Sequence, residues 1–159
     1  MNTDRSLMRR RVLFGAALAA VLAVMFAFSA QNSETSAGMS GRLTRTLLRL
    51  LGLRRGGAGF ELAETLVRKG AHFLEYALLG FLARQFAATF PLRSLGGVSA
   101  AGCLLCAAFD ELHQRFVRGR AGMWQDVLLD LAGALAGILL AALLHRALAR
   151  RRRRRASRA

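Results

Sequence analysis

Seven polar or ionisable side chains lie in or beside apolar stretches that are long enough to enter a lipid bilayer. A carboxylate near the bilayer centre costs roughly 2.5 to 3.5 kcal/mol on insertion scales, so such groups face one another, water or a ligand. The sequence therefore predicts a membrane protein with an internal polar site. Its candidate members are His72, Glu75, Asp110, Glu111, Gln114, Asp126 and Asp130.

The composition favours a small all-α bundle. Hydrophobic residues make up 54% of the 159 residues, charged residues make up 21%, and there is one proline. This balance is unusual for a soluble domain, and runs of Leu and Ala favour helices over strands. Four stretches are predicted to span the membrane, and Pro91 ends the second. They are residues 12–30, the inner part of 60–90, 95–112 and 124–144.

These stretches divide the chain into five predicted regions. Residues 1–11 form a basic cytoplasmic N-terminus, 12–30 the first transmembrane helix, and 31–59 an extracytoplasmic loop. Residues 60–146 hold transmembrane helices two to four, and 147–159 form a basic cytoplasmic tail. Within the loop, leucines alternate with arginines over 41–52 and predict a short amphipathic helix on the membrane surface. A cleaved signal peptide is the alternative for the first stretch, with Ala27 and Ser29 as small residues near a cleavage site.

The formal net charge of +15 comes mainly from arginines at the ends of the apolar stretches. Because aromatic residues are not interleaved with them on one surface, a nucleic-acid partner is not expected. Arg150 to Arg155 and Arg158 form a tail that suits anionic lipid headgroups. Placing both termini in the cytoplasm puts fourteen lysines and arginines inside and ten outside. We therefore expect a multi-pass protein of the bacterial plasma (inner) membrane.

On this topology the polar residues converge on the extracytoplasmic side. Three helices each present a polar stripe whose members are three or four residues apart. The loop before the last helix adds Arg118 and Arg120, and guanidinium groups bind phosphate in two-point geometry. The site therefore suits a lipid phosphate or pyrophosphate. The stripes are His72, Glu75 and Tyr76; Asp110, His113 and Gln114; and Asp126 and Asp130.

Several motifs resemble the VanZ-like membrane proteins. They are KGAHFLEYALLG at 69–80, DELHQRF at 110–116, Gly119-Arg120 and DVLLDLAG at 126–133, with SAQ at 29–31 similar too. The resemblance follows the chain in order from Ser29 to Gly137. Two positions depart from it: Arg118 replaces a frequent proline, and Asp130 replaces a frequent asparagine. The resemblance carries the family pattern over to His72, Glu75, Asp110, Glu111, Gln114, Gly119, Arg120 and Asp126.

The resemblance implies a role in the cell envelope. The family's namesake is linked to reduced susceptibility to teicoplanin, a glycopeptide that acts on cell-wall precursors. Our first hypothesis is a non-catalytic protein that binds or repositions a lipid-linked precursor at the outer leaflet. Its expected partners are membrane lipids and that precursor, while its oligomeric state stays open. The candidate ligand-binding residues are Arg118, Arg120, Gln114 and Tyr76.

The alternative is an intramembrane enzyme that acts on a lipid or a lipid phosphate. Glu75 or Asp110 would be the general base and His72 or His113 its acid–base partner. No nucleophile elbow or phosphate-binding glycine loop accompanies them, so the sequence favours a binding protein. The candidate catalytic residues are His72, Glu75, Asp110, Glu111 and Asp126.

Two further interpretations concern the same side chains. In a structural network, Arg120 would pair with Asp110 or Asp126 and His72 with Glu75, while Asp130 and His113 hold the helices together. A metal set of His72, Glu75, Asp110 and His113 has suitable ligand types. Nothing else in the sequence indicates an ion, so no metal and no cofactor are predicted. Gly133 and Gly137 allow close helix packing, within the bundle or between copies.

Overall fold

The computed structural model describes residues 2–53 and 56–157 and contains five helices there, with no strand in those ranges. They are α1 (Asn2–Ser29), α2 (Ser33–Leu50), α3 (Ala58–Ala87), α4 (Leu95–Gln114) and α5 (Trp124–Ala156). The predicted all-α fold is confirmed. Arg54, Arg55 and Arg158, which enter the predicted charge balance, lie outside the described residues.

Three helices of the described chain are long and apolar enough to cross a membrane. They are residues 4–29 of α1, the whole of α4, and α5. α3 is not among them, because Glu75, Arg84 and Gln85 lower the hydropathy of its otherwise apolar half. The membrane character of the fold therefore agrees with the prediction, whereas the count of four spans stays a prediction.

The outer surface of the bundle carries many large hydrophobic side chains. Water-exposed patches of this extent are rare in soluble monomers, whereas lipid tails accommodate them. The surface therefore suits a bilayer. Its members include Leu13, Phe26, Leu74, Leu105, Phe109, Leu128 and Leu139.

Helix α2 is longer than the amphipathic segment predicted over 41–52. It starts after Asn32, whose side-chain oxygen accepts a hydrogen bond from the backbone N–H of Thr35 at 2.8 Å. Such a cap satisfies one of the free N–H groups at a helix start. Gly41 and Thr44 are buried against the bundle, while Leu43 and Leu47 on other faces are exposed. A helix therefore covers most of the predicted segment, and its start lies eight residues upstream.

α3 and α5 form the most extensive helix interface in the structure. Gly80 of α3 lies against the carbonyl oxygen of Ala134, and Gly133 and Gly137 of α5 lie against the carbonyl oxygens of Phe73 and Ala77. A Cβ at any of these glycines would collide with backbone. Positions four residues apart on α5 meet positions four residues apart on α3, in the same order, so the two helices run in parallel. The Gly133–Gly137 pair thus packs within the bundle.

The remaining helices complete the bundle around this pair. α4 packs on both α3 and α5, α1 packs mainly on α3, and α2 rests on α3. A small core forms where α1, α3, α4 and α5 meet, and it keeps both cysteines as free thiols. Its buried members are Met25, Tyr76, Leu79, Cys103, Ala107 and Ala134.

The two ends of the bundle differ in chemistry. At one polar end, described below, lie the end of α1, the end of α4 and the beginning of α5. At the opposite end, the Arg11 guanidinium donates to the carbonyl oxygen of Thr89 at 2.8 Å and lies 4.1 Å from the centre of the Phe90 ring. The start of α1 and the last turns of α5 both lie at this second end. Their common side agrees with the expectation that both termini face the same compartment.

Candidate functional site

The polar end gathers side chains from three helices and one loop. α3 contributes His72 and Glu75, α4 contributes Asp110, α5 contributes Asp130, and the loop between α4 and α5 contributes Arg120. The convergence predicted from helical spacing is therefore seen in the structure. Because the contributing segments are far apart in sequence, only the packing of α3, α4 and α5 brings these groups together.

His72, Asp110 and Asp130 form the tightest cluster. One ligand atom from each residue lies within 4.8 Å of the other two, and His72 Nδ1 is 4.0 Å from Asp130 Oδ1. Asp130 is completely buried, with 0% of its surface exposed. Neither of its carboxylate oxygens has a hydrogen-bond partner among the described residues. Asp130 is therefore a buried polar group whose hydrogen-bonding needs the described residues leave unmet.

The carboxylates of α4 are held by hydrogen bonds. Asp110 Oδ2 accepts from Gln114 Nε2 at 3.0 Å, one turn along the helix. Glu111 Oε2 accepts from the backbone N–H of Met123 at 2.8 Å, and the Glu111 side chain is buried. This second bond ties the end of α4 to the residue before α5. Glu111 therefore fixes the loop that carries Arg120.

The loop itself depends on Gly119, whose φ of 75° lies in the left-handed region. A Cβ there would also collide with the Ser33 side chain, so both the backbone conformation and the lack of space favour glycine. The carbonyl oxygen of Arg118 accepts from the Ser33 N–H at 3.3 Å, which seats the loop on the start of α2. These contacts direct Arg120 towards the polar cluster.

Two cavities open at the polar end. Cavity A has a volume of about 250 Å³ and lies among α1, α2 and α3. Cavity B has a volume of about 260 Å³ and lies nearer the α4–α5 loop. Ser36, Arg68, His72 and Arg120 line both. Cavity A adds apolar walls from Met25, Phe28, Leu43 and Val67 to the polar groups Glu75 and Asp110. Cavity B adds Lys69, Glu111, Gln114 and Asp126.

Arg120 is the cation that both cavities share with the cluster. Burial lowers the pKa of its guanidinium, and the negative charge of Asp110 acts in the opposite direction. Within the part of the chain that the structure describes, no carboxylate lies within ion-pairing distance of it. A partly desolvated guanidinium beside a cavity is well suited to bind an anion.

The predicted ion pairs are wrong in their partners. Asp126 pairs with Lys69, with Lys69 Nζ 3.7 Å from Asp126 Oδ1, and not with Arg120. His72 is nearest to Asp130 and not paired with Glu75. The helical stripes are real, but the packing angle between α3 and α5 selects the neighbour. Asp130, assigned a structural role from the sequence, belongs to the central cluster.

Three predicted site residues lie elsewhere. Tyr76 is 1% exposed in the core and lines an apolar groove with Leu22 and Phe109, away from Arg120. The His113 ring lies 3.4 Å from Ser29 Oγ and packs on Phe26, so it faces α1. The Arg118 side chain is exposed and lines neither cavity. The structure therefore separates these three from the cavities.

Sequence reasoning missed the contribution of the first turns of α2 and of residues just before His72. Ser33 and Ser36 line cavity B because α2 starts after Asn32, and Arg68 and Lys69 extend α3 beyond the polar stripe. An asparagine followed closely by an acidic residue, as in Asn32 and Glu34, is a recognised helix-start signal. That signal would have placed the start of α2 correctly.

Taken together, the apolar helices and the buried polar end define a helical membrane protein with an internal, anion-compatible site. A family model described as VanZ/LLP1 matches residues 14–145, which is most of the chain. The chain belongs to the VanZ/LLP1 family, as the sequence motifs predicted. Searches with this chain found no match among the curated proteins or among the solved structures.

Proposed function

We propose that this protein is a non-catalytic protein of the bacterial plasma membrane that binds the phosphate-bearing headgroup of a lipid-linked cell-wall precursor. Binding would occur at the outer face, with both termini in the cytoplasm, and would change susceptibility to teicoplanin. Family membership supports a link to glycopeptide resistance. The observation that carries the proposal is Arg120, a half-buried guanidinium that lines two cavities and has no carboxylate within ion-pairing distance in the described part of the chain.

The walls of cavity A support a ligand that is part lipid and part anion. Met25, Phe28 and Leu43 are apolar, while Arg68 and Arg120 supply positive charge. Drug-sized ligands usually occupy about 300 to 1,000 Å³. A cavity of about 250 Å³ is smaller, so it suits a phosphate or pyrophosphate group better than a whole precursor. The rest of such a ligand would lie outside the cavity.

The basic end of α5 supports membrane lipids as further partners. Helix α5 continues to Ala156 through a run of arginines, at the end of the bundle opposite the cavities. A cluster of this kind attracts anionic headgroups by about 1 kcal/mol for each basic residue near the surface. This attraction also favours a cytoplasmic location for that end.

An intramembrane enzyme is the second candidate, and the His72–Asp110–Asp130 cluster favours it. Glu75 or Asp110 would accept a proton, and His72 would be the partner, because His113 faces α1 instead. Glu111 and Asp126 are already engaged by Met123 and Lys69, so they fit the catalytic roles less well. An enzyme would convert a lipid phosphate, whereas a binding protein would return it unchanged.

The experiment compares Arg120→Gln with Arg118→Gln in the full chain, purified in detergent. Both changes remove one arginine from the same loop, but the Arg118 side chain is exposed and lines neither cavity. Binding of undecaprenyl pyrophosphate is measured by native mass spectrometry titration. We expect the dissociation constant of Arg120→Gln to be at least tenfold higher, which corresponds to about 1.4 kcal/mol of binding free energy. The constant of Arg118→Gln should be unchanged.

Equal losses in the two variants would show that diffuse loop charge binds the lipid, and would contradict a site at Arg120. The same samples are incubated with the lipid and assayed for released phosphate. Phosphate release by the wild type that is lost in Asp110→Asn, at a normal protein level, would favour the enzyme. Teicoplanin susceptibility of cells with matched membrane abundance of each variant tests the link to resistance.

A further inference from the structure

Asp130 is the least compensated polar group among the described residues of the bundle. It is fully buried, and both of its carboxylate oxygens lack hydrogen-bond partners. An ionised carboxylate buried without a partner is costly, so such groups are protonated, paired with a cation or bound to a metal. The closest cationic candidate is His72, and its Nδ1 is still 4.0 Å away. A missing partner at this position would have to lie between Asp130 and its neighbours.

The side chains next to Asp130 are of types that bind metal ions, and their ligand atoms lie close to its carboxylate. One atom each from His72, Asp110 and Asp130 lies within 4.8 Å of the other two. Ligand atoms about 2.1 Å from a shared ion lie roughly 3 to 3.5 Å apart, so a shift on the order of 1 Å would complete the geometry. Side-chain rotation can supply that shift without moving a helix.

The surroundings hold these ligands in place. Gly133 lies against the backbone of Phe73, so the contact between α3 and α5 sits next to both His72 and Asp130. Gln114 Nε2 donates to Asp110 Oδ2 and leaves the other oxygen of that carboxylate for a ligand bond. Hydrogen bonds of this kind orient metal ligands in characterised sites. The cluster therefore has both fixed spacing and an oriented carboxylate.

The nearby charges are also consistent with a cation. Glu75 and Glu111 add negative charge around the cluster, against Arg68 and Arg120, while the charges of Asp126 and Lys69 offset each other. Lys69 forms an ion pair with Asp126, and Arg120 makes no ion pair with the cluster in the described chain. The positive groups therefore leave Asp130 without direct compensation.

We propose that His72, Asp110 and Asp130 bind one divalent transition-metal ion, with Zn²⁺ the best match. One imidazole and two carboxylates suit Zn²⁺, whereas Ca²⁺ and Mg²⁺ prefer oxygen-only sites. Three protein ligands leave a coordination position open, and His72 and Asp110 both line cavity A. The open position would face that cavity. The site goes beyond the proposed function, which requires only Arg120 and no metal.

The test measures zinc content of the full chain purified in detergent with an affinity tag that contains no histidine. Protein is stripped with chelator, loaded with Zn²⁺, desalted and analysed by mass spectrometry of the metal. We expect about one Zn²⁺ per chain in the wild type, and at least a fivefold lower content in Asp130→Asn and His72→Gln. Asp126→Asn is the matched control, because Asp126 lies one turn earlier on α5 and pairs with Lys69. It is expected to keep the wild-type zinc content.

Folding of every variant is checked by circular dichroism and by elution as a single species, and only folded variants are compared. Zinc is also expected to raise the melting temperature of the wild type and of Asp126→Asn, but not of Asp130→Asn. A wild type that retains no zinc overturns the proposal, as does Asp130→Asn with undiminished zinc. Lipid binding by Arg120→Gln is a separate readout, so either conclusion can fail without the other.

Discussion

α3 and α5 meet in two different ways along their shared length. From Phe73 to Gly80 on α3, glycines bring the two backbones into direct contact with Gly133 to Gly137 on α5. Directly next to this contact, towards the polar end, the same helices instead present His72 and Asp130 to each other, 4.0 Å apart and without a hydrogen bond. The close contact fixes the helices, and this allows the neighbouring turn to hold polar groups that do not satisfy each other.

The cavity walls are built differently from this glycine contact. α1 and α2 line cavity A but pack on α3 less extensively than α5 does. A hydrogen bond from Ser40 Oγ to Glu64 Oε1 at 2.7 Å joins α2 to α3. Membrane helices associate mainly through close van der Waals packing. Stability should therefore depend most on the α3–α5 contact, less on the α4–α5 loop, and least on the attachment of α1.

The largest effect is expected for Gly137→Ala, which breaks the α3–α5 contact. Its Cβ would collide with the Ala77 carbonyl oxygen, a backbone atom that cannot rotate away. We expect a loss of about 3 kcal/mol in the free energy of unfolding in detergent, as for severe overpacking. Gly102→Ala is the control, because nothing lies within 4 Å of its added Cβ. Alanine there should be neutral or slightly stabilising, and equal losses would contradict a special role for the contact.

A smaller effect is expected at the polar end for Glu111→Ala. This change removes the acceptor of the Met123 N–H and frees the loop that carries Arg120. We expect a loss of about 2 kcal/mol, the range of a hydrogen bond to a charged group. Faster protease cleavage between α4 and α5 would accompany it. Glu111→Gln keeps an acceptor oxygen and should lose less, so an equal loss in both would assign the effect to charge and not to the hydrogen bond.

The smallest effect is expected for Arg11→Ala, at the attachment of α1. It removes one hydrogen bond to Thr89 and one stacking contact with Phe90. We expect a loss of about 1 kcal/mol. Arg9→Ala, which removes an exposed arginine two residues earlier, should change the melting temperature little. If Arg11→Ala lost more stability than Gly137→Ala, the expected order of the three regions would be contradicted.

Much of the fold could be predicted because apolar length and helical spacing are local properties. They predicted the helices and the meeting of His72, Glu75, Asp110 and Asp130 at one end. The partner that each polar side chain contacts could not be predicted in this way. Helical spacing shows which residues share a stripe, but the neighbour that each one meets depends on how tightly the helices pack and at which register.

Tyr76 and Arg118 illustrate the two kinds of error. Tyr76 follows Glu75 by one residue, so it points about 100° away around the helix and into the core. Arg118 precedes Gly119, whose left-handed backbone turns the chain before Arg120. A side chain that lines a cavity and one that does not are therefore adjacent at Glu75 and Tyr76, and two positions apart at Arg120 and Arg118. Composition and charge carry no information on that scale.

The buried end of α1 bears on the alternative that residues 12–30 are a cleaved signal peptide. Ser29, in the region that resembles a signal-peptide cleavage site, is 4% exposed and lies beside His113. Met25 belongs to the core, and Phe28 forms part of the wall of cavity A. A peptidase that cut here would remove a wall of the cavity together with the leader. For this chain, maturation by cleavage and an intact cavity A are mutually exclusive.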